Sequence, residues 1–214
     1  MNRVAALAGL LIASPVMAQA EDLVVSSEAG NSGFSAVFDA ALGERITAVS
    51  SAVGCEVTLD EKAGTASGRC SVPLTSITVD NDATKSEHFH DWSTNKRSDP
   101  KTCKLEAVFA GVRLGALVPE QPVSFSAEIP FTVCGRGRED GGREQVTGTA
   151  VLFPAGSYGD RKTIRIRAHI ASFDRDAYHI GPRYTEGWLA RVQRLAKVVA
   201  ERGAVDLSLF ARTR

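Results

Sequence analysis

An alternation between apolar and polar side chains, with a period of two, constrains the fold of this chain more than any other feature. It runs through residues 53–59, stops at the turn-forming segment 61–64 and resumes through residues 66–74. Such alternation predicts two half-buried antiparallel strands joined as a hairpin. A hairpin centred between Lys62 and Ala63 places Cys55 directly opposite Cys70, so we predict a cross-strand disulfide between them.

Further alternating runs predict strands at 33–38, 43–50, 103–112, 123–134, 145–153, 162–173 and 204–211. Apolar residues at helical spacing predict a short helix at 84–94 and a longer C-terminal helix at 186–202 that stops at Gly203. Eight or so antiparallel strands with few helices predict a mainly β protein, either a closed barrel or a sandwich. A barrel of eight strands can enclose one elongated ligand.

The two remaining cysteines fit the same hairpin reasoning. A mirror centre at Val118 and Pro119 places Cys103 opposite Cys134, although strict alternation puts these two cysteines on different faces. A bulge at Pro130 would restore the agreement, because proline interrupts a strand ladder. Four cysteines permit three pairings, and we predict Cys103 with Cys134 beside Cys55 with Cys70.

The first 20 residues have the pattern of a secretion signal. Arg3 supplies the positive region, residues 4–12 the apolar stretch, and the small residues Ala18 and Ala20 flank Gln19. We expect cleavage after Ala20, or after Ala18, which leaves one domain at 21–214 in the periplasm or outside the cell. An even cysteine count in an exported chain favours disulfides over free thiols or metal ligands.

The charge balance argues against nucleic acid as a partner. The whole chain has 25 basic and 25 acidic side chains, and loss of Arg3 with the signal leaves 24 basic side chains against 25. Nucleic-acid binding needs a basic stripe that displaces counterions, and the charges here are unclustered. Beyond the signal, the sequence has no apolar run long enough for a membrane-spanning helix.

Other chemistry-bearing residues have weak patterns. His88 and His90 lie two apart beside Asp91, but positions i and i+2 of a helix face different directions, and two ligands are too few for zinc. A glycine-rich loop at 135–143 carries Arg136, Arg138 and Arg143, which could meet an anionic head group; nearby carboxylates favour a solvated loop instead. The sequence has no nucleophile elbow and no HExxH motif.

Several short segments resemble the YceI-like family, a secreted lipocalin-like barrel group associated with polyisoprenoids and other long-chain lipids. The matching segments are residues 31–36, 57–60, 72–77, 86–89 and 170–176. The family's arginine-aspartate pair is replaced by Lys85, Ser86 and Glu87, its aromatic pair by Thr94 and Asn95, and the four cysteines are additions.

The resemblance implies an eight-stranded antiparallel lipocalin-like barrel with a lid helix, which binds a polyisoprenoid or other long-chain lipid without catalysis, metal or cofactor. The residues that it implies around the ligand are Phe34, Phe38, Phe109, Phe125, Leu152 and Ile166 inside the barrel, with Phe89 and Trp92 on the lid helix. His88 would cap or orient the lid helix, and His88 or the loop arginines would make polar contacts with the ligand at the mouth of the barrel. Two alternatives stay open: a redox-active or metal-using periplasmic enzyme, and an interaction module of an envelope stress complex.

Overall fold

The computed structural model describes residues 20–26, 30–184 and 199–214. These three ranges contain one α-helix, α1 (Ala83–Thr94), and twelve β-strands. The strands are β1 (Glu21–Val25), β2 (Gly33–Ala40), β3 (Arg45–Ser50), β4 (Gly54–Asp60), β5 (Thr65–Pro73), β6 (Thr78–Val79), β7 (Lys104–Arg113), β8 (Val123–Ile129), β9 (Phe131–Val133), β10 (Glu144–Phe153), β11 (Thr163–Asp174) and β12 (Val199–Thr213). The prediction of a mainly β, antiparallel protein is confirmed.

The twelve strands form one antiparallel sheet that branches at β12, the longest strand. One side of β12 pairs with β11, and its other side pairs with β2 and then with β1. From β1 the sheet continues through β4, β5, β7 and β9, and from β11 through β10 to β8. Strands β3 and β6 extend the sheet beyond β2.

The two long arms of the sheet approach each other at Pro130. Strand β8 pairs with β10 up to Ile129, whereas β9, which starts at Phe131, pairs with β7. Pro130 itself lacks an N–H group and accepts a single hydrogen bond from Val108 N at 3.4 Å. Within the described residues β8 forms no ladder with β7. The predicted closed barrel of eight strands is therefore not confirmed: the sheet has twelve strands and does not close.

Both predicted disulfides are present, and all four cysteines are paired. Cys55 and Cys70 lie directly opposite each other in the β4–β5 ladder, with their Cα atoms 4.1 Å apart. Cys103 and Cys134 have a Cα separation of 4.6 Å. The β7–β9 register pairs Leu105 with Val133, so Cys134 follows directly after the end of β9, where its φ is 50°.

The C-terminal and N-terminal parts of the described chain differ from the predictions. The C-terminal helix predicted at 186–202 is wrong at its end, because residues 199–202 begin strand β12 and Gly203 lies within that strand; residues 186–198 lie outside the described residues. Strand β1 was not predicted, since five residues after the expected cleavage site carry little pattern. The predicted signal segment, except Ala20, also lies outside the described residues.

The predicted short helix is confirmed as α1, one residue longer than expected at its start. Asp82 is the N-cap residue, and its side chain accepts a hydrogen bond from Lys85 N at 2.8 Å. This bond satisfies one of the amide groups that have no partner in the first turn of a helix. Asn95 ends the helix in the left-handed conformation, with φ 56°.

Candidate functional site

An apolar cavity of about 780 Å³, the upper cavity, lies between α1 and the inward face of the sheet. Strand β2 explains why space remains there: Phe34, Ala36, Phe38 and Ala40 alternate toward the cavity, and small alanine side chains separate the two rings. Ala48 on β3 adds another small side chain. The other apolar residues that face the cavity include Ile46, Val79, Leu105, Phe131, Val133, Phe173, Ile180 and Val205.

One face of α1 covers this cavity. Lys85, His88, Phe89 and Trp92 all line it, and their spacing of three, four and seven residues places them on one side of a helix. The rings of His88 and Trp92 stack with centroids 6.2 Å apart. Phe89 and Trp92 are half-buried, whereas His88 is exposed.

The opposite face of α1 is fixed to the chain before it by Ser86 and His90. Ser86 Oγ accepts a hydrogen bond from Val79 N at 2.9 Å and donates one to the Asp82 carbonyl. The His90 ring donates from Nε2 to the Ile77 carbonyl oxygen at 3.1 Å. The predicted capping role of His88 is therefore wrong, because Asp82 caps the helix, while His90 and Ser86 bind it to the preceding segment. The contact of His88 with a ligand stays a prediction.

Charged groups surround the cavity where α1 meets the sheet. Lys85 Nζ lies 2.7 Å from Asp80 Oδ2, and this hydrogen bond raises the pKa of the Lys85 ammonium. The bond from Lys85 and a second one from Thr47 N lower the pKa of the Asp80 carboxyl. Both side chains stay charged at neutral pH, so the rim of the cavity carries a fixed ion pair.

Arg175 also lines the cavity and holds two segments of its wall together. Its Nη1 donates to the Ile180 carbonyl at 2.6 Å, and its Nη2 and Nε donate to the Val199 and Ala200 carbonyls at 3.0 and 2.9 Å. These bonds tie the start of β12 to the segment that follows β11. A charged guanidinium with several carbonyl acceptors makes strong, directional hydrogen bonds.

A second apolar cavity of about 120 Å³, the lower cavity, is lined mainly by residues of β5, β7, β10, β11 and β12. Phe109, Phe125 and Ile166 line it, as the sequence led us to expect, and Phe34 lines both cavities. Leu152 lines neither of these two cavities. It is buried, and its neighbour across the β10–β11 ladder is Ile164. Its contact with a ligand stays a prediction.

The arginine loop is more buried than expected, and the prediction of a solvated loop is wrong for two of its three arginines. Arg136 donates to the Ser93 carbonyl at the end of α1 and to the Tyr178 carbonyl at 3.4 Å. Burial, and then the nearby Arg97, lower the pKa of the Arg136 guanidinium. Arg138 binds Asp140 and Glu144, while Arg143 is exposed.

Glu144 and Tyr178 are polar core residues that the sequence did not reveal. Tyr178 OH donates to Glu144 Oε1 at 2.7 Å, and the same oxygen accepts from Arg138 Nη1 at 3.0 Å. Glu144 is only 3% exposed and Tyr178 only 1%. The partners lie 34 residues apart, and no local pattern links them.

Among the described residues, no cluster of three or more histidine, cysteine, aspartate or glutamate side chains could hold a metal ion. His88 faces the upper cavity, whereas His90 lies on the opposite side of α1 and binds the Ile77 carbonyl. These two rings therefore do not converge on one site. A search of the described helices for one with the length and apolarity to cross a membrane found none.

The geometry defines a class of protein: an antiparallel sheet around an apolar cavity, with one helix across it. The chain is similar to the structure of a polyisoprenoid binding domain from Saccharophagus degradans implicated in plant cell wall breakdown, with a TM-score of 0.59 and 12% sequence identity over 92% of this chain and 100% of that one. This likeness supports the mainly β, antiparallel fold that the resemblance to the YceI-like family implied, but not its closed barrel of eight strands. No family model matches the chain. No curated protein matches it either.

Proposed function

We propose that this protein is an exported, non-catalytic binder of a polyisoprenoid or other long-chain lipid. The observation that carries the proposal is the upper cavity of about 780 Å³, whose walls are mostly apolar. The similarity of the protein's fold to that of a polyisoprenoid binding domain gives independent support. Ligand pockets of several hundred Å³ with a few polar groups at one side are typical of small-molecule sites.

Burial of the lipid tail supplies the binding free energy. Each methylene that leaves water contributes about 0.8 kcal/mol. Phe34, Phe38, Phe89 and Trp92 form the walls for the tail, because all four line the upper cavity. Lys85 and His88, on the same face of α1, are placed to contact the polar head at the rim.

The lower cavity adjoins the same site. Phe109, Phe125 and Ile166 line it, and Phe34, which lines both cavities, lies between these three residues and the space for the tail. No step of this function requires a catalytic group, a metal or a cofactor. The proposed function therefore uses only the burial of an apolar tail and contacts with the polar head at the rim of the cavity.

Export to an oxidising compartment fits the covalent structure. The two disulfides at Cys55–Cys70 and Cys103–Cys134 are compatible with secretion or a periplasmic location. The expected signal segment at 1–20 would direct the chain to export. A binder in that compartment would carry or sequester its lipid between membranes.

Denaturing mass spectrometry of organic extracts tests the proposal on the purified mature protein. We expect a long-chain lipid to be recovered from the wild type in an amount comparable to the protein. Recovery of no lipid from the wild type, together with no binding of added polyprenol, would contradict the proposal.

Two tryptophan variants on one strand locate the lipid. Ala48 faces the upper cavity and is 6% exposed, so the indole of Ala48→Trp occupies part of the cavity and should strongly reduce lipid recovery. Val49, the next residue, points outward and is 42% exposed, so Val49→Trp should retain the lipid. Ala36→Leu narrows the same cavity more mildly and serves if Ala48→Trp does not fold. Equal lipid recovery from the wild type and the cavity variants would place the lipid elsewhere.

A further inference from the structure

Four side chains separate the upper cavity from the lower cavity. Phe34, Leu105, Phe131 and Val205 line both cavities, so they lie where the two spaces meet. They come from four different strands, β2, β7, β9 and β12, and they surround the junction from different sides. Phe34, Leu105 and Val205 are each less than 9% exposed.

Phe131 is held at this junction by two other aromatic rings. It makes edge-to-face contacts with Phe173, at a centroid distance of 5.5 Å, and with Tyr178, at 5.7 Å. Phe173 and Tyr178 stack on each other with centroids 4.9 Å apart. Edge-to-face and offset-stacked pairs have preferred geometries, so this cluster restricts where the Phe131 ring can lie.

A buried polar network holds the cluster in turn. Tyr178 OH binds Glu144, and Glu144 also binds Arg138, whose Nη2 donates to Asp140 Oδ2 at 2.9 Å. A buried carboxylate needs such partners because an unpaired charge in the core costs several kcal/mol. The network joins the glycine-rich loop to the Phe131 ring through Glu144 and Tyr178, so Glu144 acts as a positioning residue.

We infer that Phe34, Leu105, Phe131 and Val205 set the maximum tail length of the bound lipid, and that the Arg138–Glu144–Tyr178 network fixes this limit by positioning Phe131. The inference rests on the proposed lipid-binding function. The lower cavity, at about 120 Å³, has room for about four groups the size of a water molecule or methylene. The four side chains therefore prevent a tail that fills the upper cavity from extending into the lower cavity.

Affinity for a homologous series of straight-chain fatty alcohols tests the inference. For the wild type we expect affinity to rise about fourfold with each added methylene and then to stop rising at one chain length, the limit length. Phe34→Ala removes a ring from the junction and joins the two cavities. Its limit length should be longer than that of the wild type by at least about four carbons, the number that the lower cavity can hold, because the space of the deleted ring adds to it.

Three variants make the test specific. Phe38→Ala removes a ring from the same strand that lines only the upper cavity, so it should weaken binding of all alcohols without moving the limit length. Ala168 lines the lower cavity, so Ala168→Leu should leave the wild-type limit unchanged but cancel the extension when combined with Phe34→Ala. Val205→Ala opens the junction by less and is used if Phe34→Ala does not fold.

The positioning role of Glu144 has its own readout. Glu144→Gln keeps an acceptor for Tyr178 and should retain the wild-type limit length, whereas Glu144→Leu removes the acceptor and should move the limit to longer alcohols while short alcohols bind as before. A Glu144→Leu protein with the wild-type limit would overturn this role.

An unmoved limit in Phe34→Ala, with normal binding by the wild type, would overturn the inference alone, whereas no alcohol binding by the wild type would overturn the proposed function as well.

Discussion

Tyr178 is the largest fully buried side chain among the described residues, and it carries a titratable group into the core. Burial, and then its hydrogen bond to Glu144, raise the pKa of the Tyr178 phenol. The folded protein therefore keeps this proton at pH values where the unfolded chain, with a tyrosine pKa of about 10, has lost it. A group with a raised pKa stabilises the fold below the unfolded pKa, and this stability is lost as pH rises above it.

We predict that the free energy of unfolding falls more steeply above about pH 10 in the wild type than in Tyr178→Phe, by up to about 1.4 kcal/mol per pH unit. Urea denaturation at a series of pH values measures both proteins. Between neutral pH and about pH 9 the difference between them should stay constant, since neither state of Tyr178 ionises there. Parallel curves across the alkaline range would contradict the prediction.

At the scale of single residues, the sequence predicts apolar positions better than polar partners. Alternation along β2 placed Phe34 and Phe38 on one face, and both line the upper cavity. Nothing local predicted that Glu144 binds Tyr178 or that Arg136 reaches Ser93, because these partners come together only through the folded sheet. For the same reason Leu152 could not be distinguished from a cavity residue, since both kinds of position are apolar and inward.

Helix α1 depends on a short set of local contacts, because it is the only α-helix in the described ranges and covers the cavity with one face. Asp82 caps its first turn through Lys85 N. We predict that Asp82→Ala lowers the free energy of unfolding by about 1 kcal/mol, as is typical for loss of an N-cap. Urea denaturation followed by circular dichroism gives the measurement.

Asp91 provides the matched control for this prediction. It is an exposed aspartate of the same helix, in the last turn rather than at the start. A negative charge there opposes the helix dipole, so Asp91→Ala should leave stability unchanged or raise it slightly. Equal destabilisation by both substitutions would contradict a specific N-cap role for Asp82.

At the scale of elements, period and turn chemistry predicted most strands to within a few residues, and Pro130 marked the interruption between β8 and β9. The C-terminal segment shows where local pattern is insufficient. Its helical spacing predicted helix through residue 202, yet residues 199–202 belong to β12. This segment forms a strand because it pairs with β2 and β11, which lie far away in the sequence. Local helix propensity is weak compared with such tertiary pairing.

At the scale of the whole molecule, hairpin reasoning found neighbours that are close in sequence but could not count the strands of the sheet. Cys55 and Cys70 follow from a local turn and lie opposite each other as predicted. The branch at β12, which joins β1, β2 and β11, unites the two ends of the chain with its middle. No single sequence pattern encodes such a junction, so the eight-stranded count was too low.

The two disulfides belong to the same arm of this sheet but close loops of different lengths, and this difference gives the last prediction. Cys55 and Cys70 are 15 residues apart, and Cys103 and Cys134 are 31 apart. A cross-link restricts the unfolded chain, and a loop of about 15 residues is worth about 3 kcal/mol. Doubling the loop adds about 0.6 kcal/mol.

We therefore predict that replacing Cys103 and Cys134 by alanine lowers the free energy of unfolding by about 0.6 kcal/mol more than replacing Cys55 and Cys70. Urea denaturation of the two double variants under identical conditions measures the difference, with the quadruple alanine variant as the control for additivity. The two losses should add, since the cross-links close separate loops of the chain. A larger loss for Cys55 and Cys70 would contradict the loop-length argument and would show that contacts around the β4–β5 ladder, rather than chain entropy, set the contribution of that cross-link.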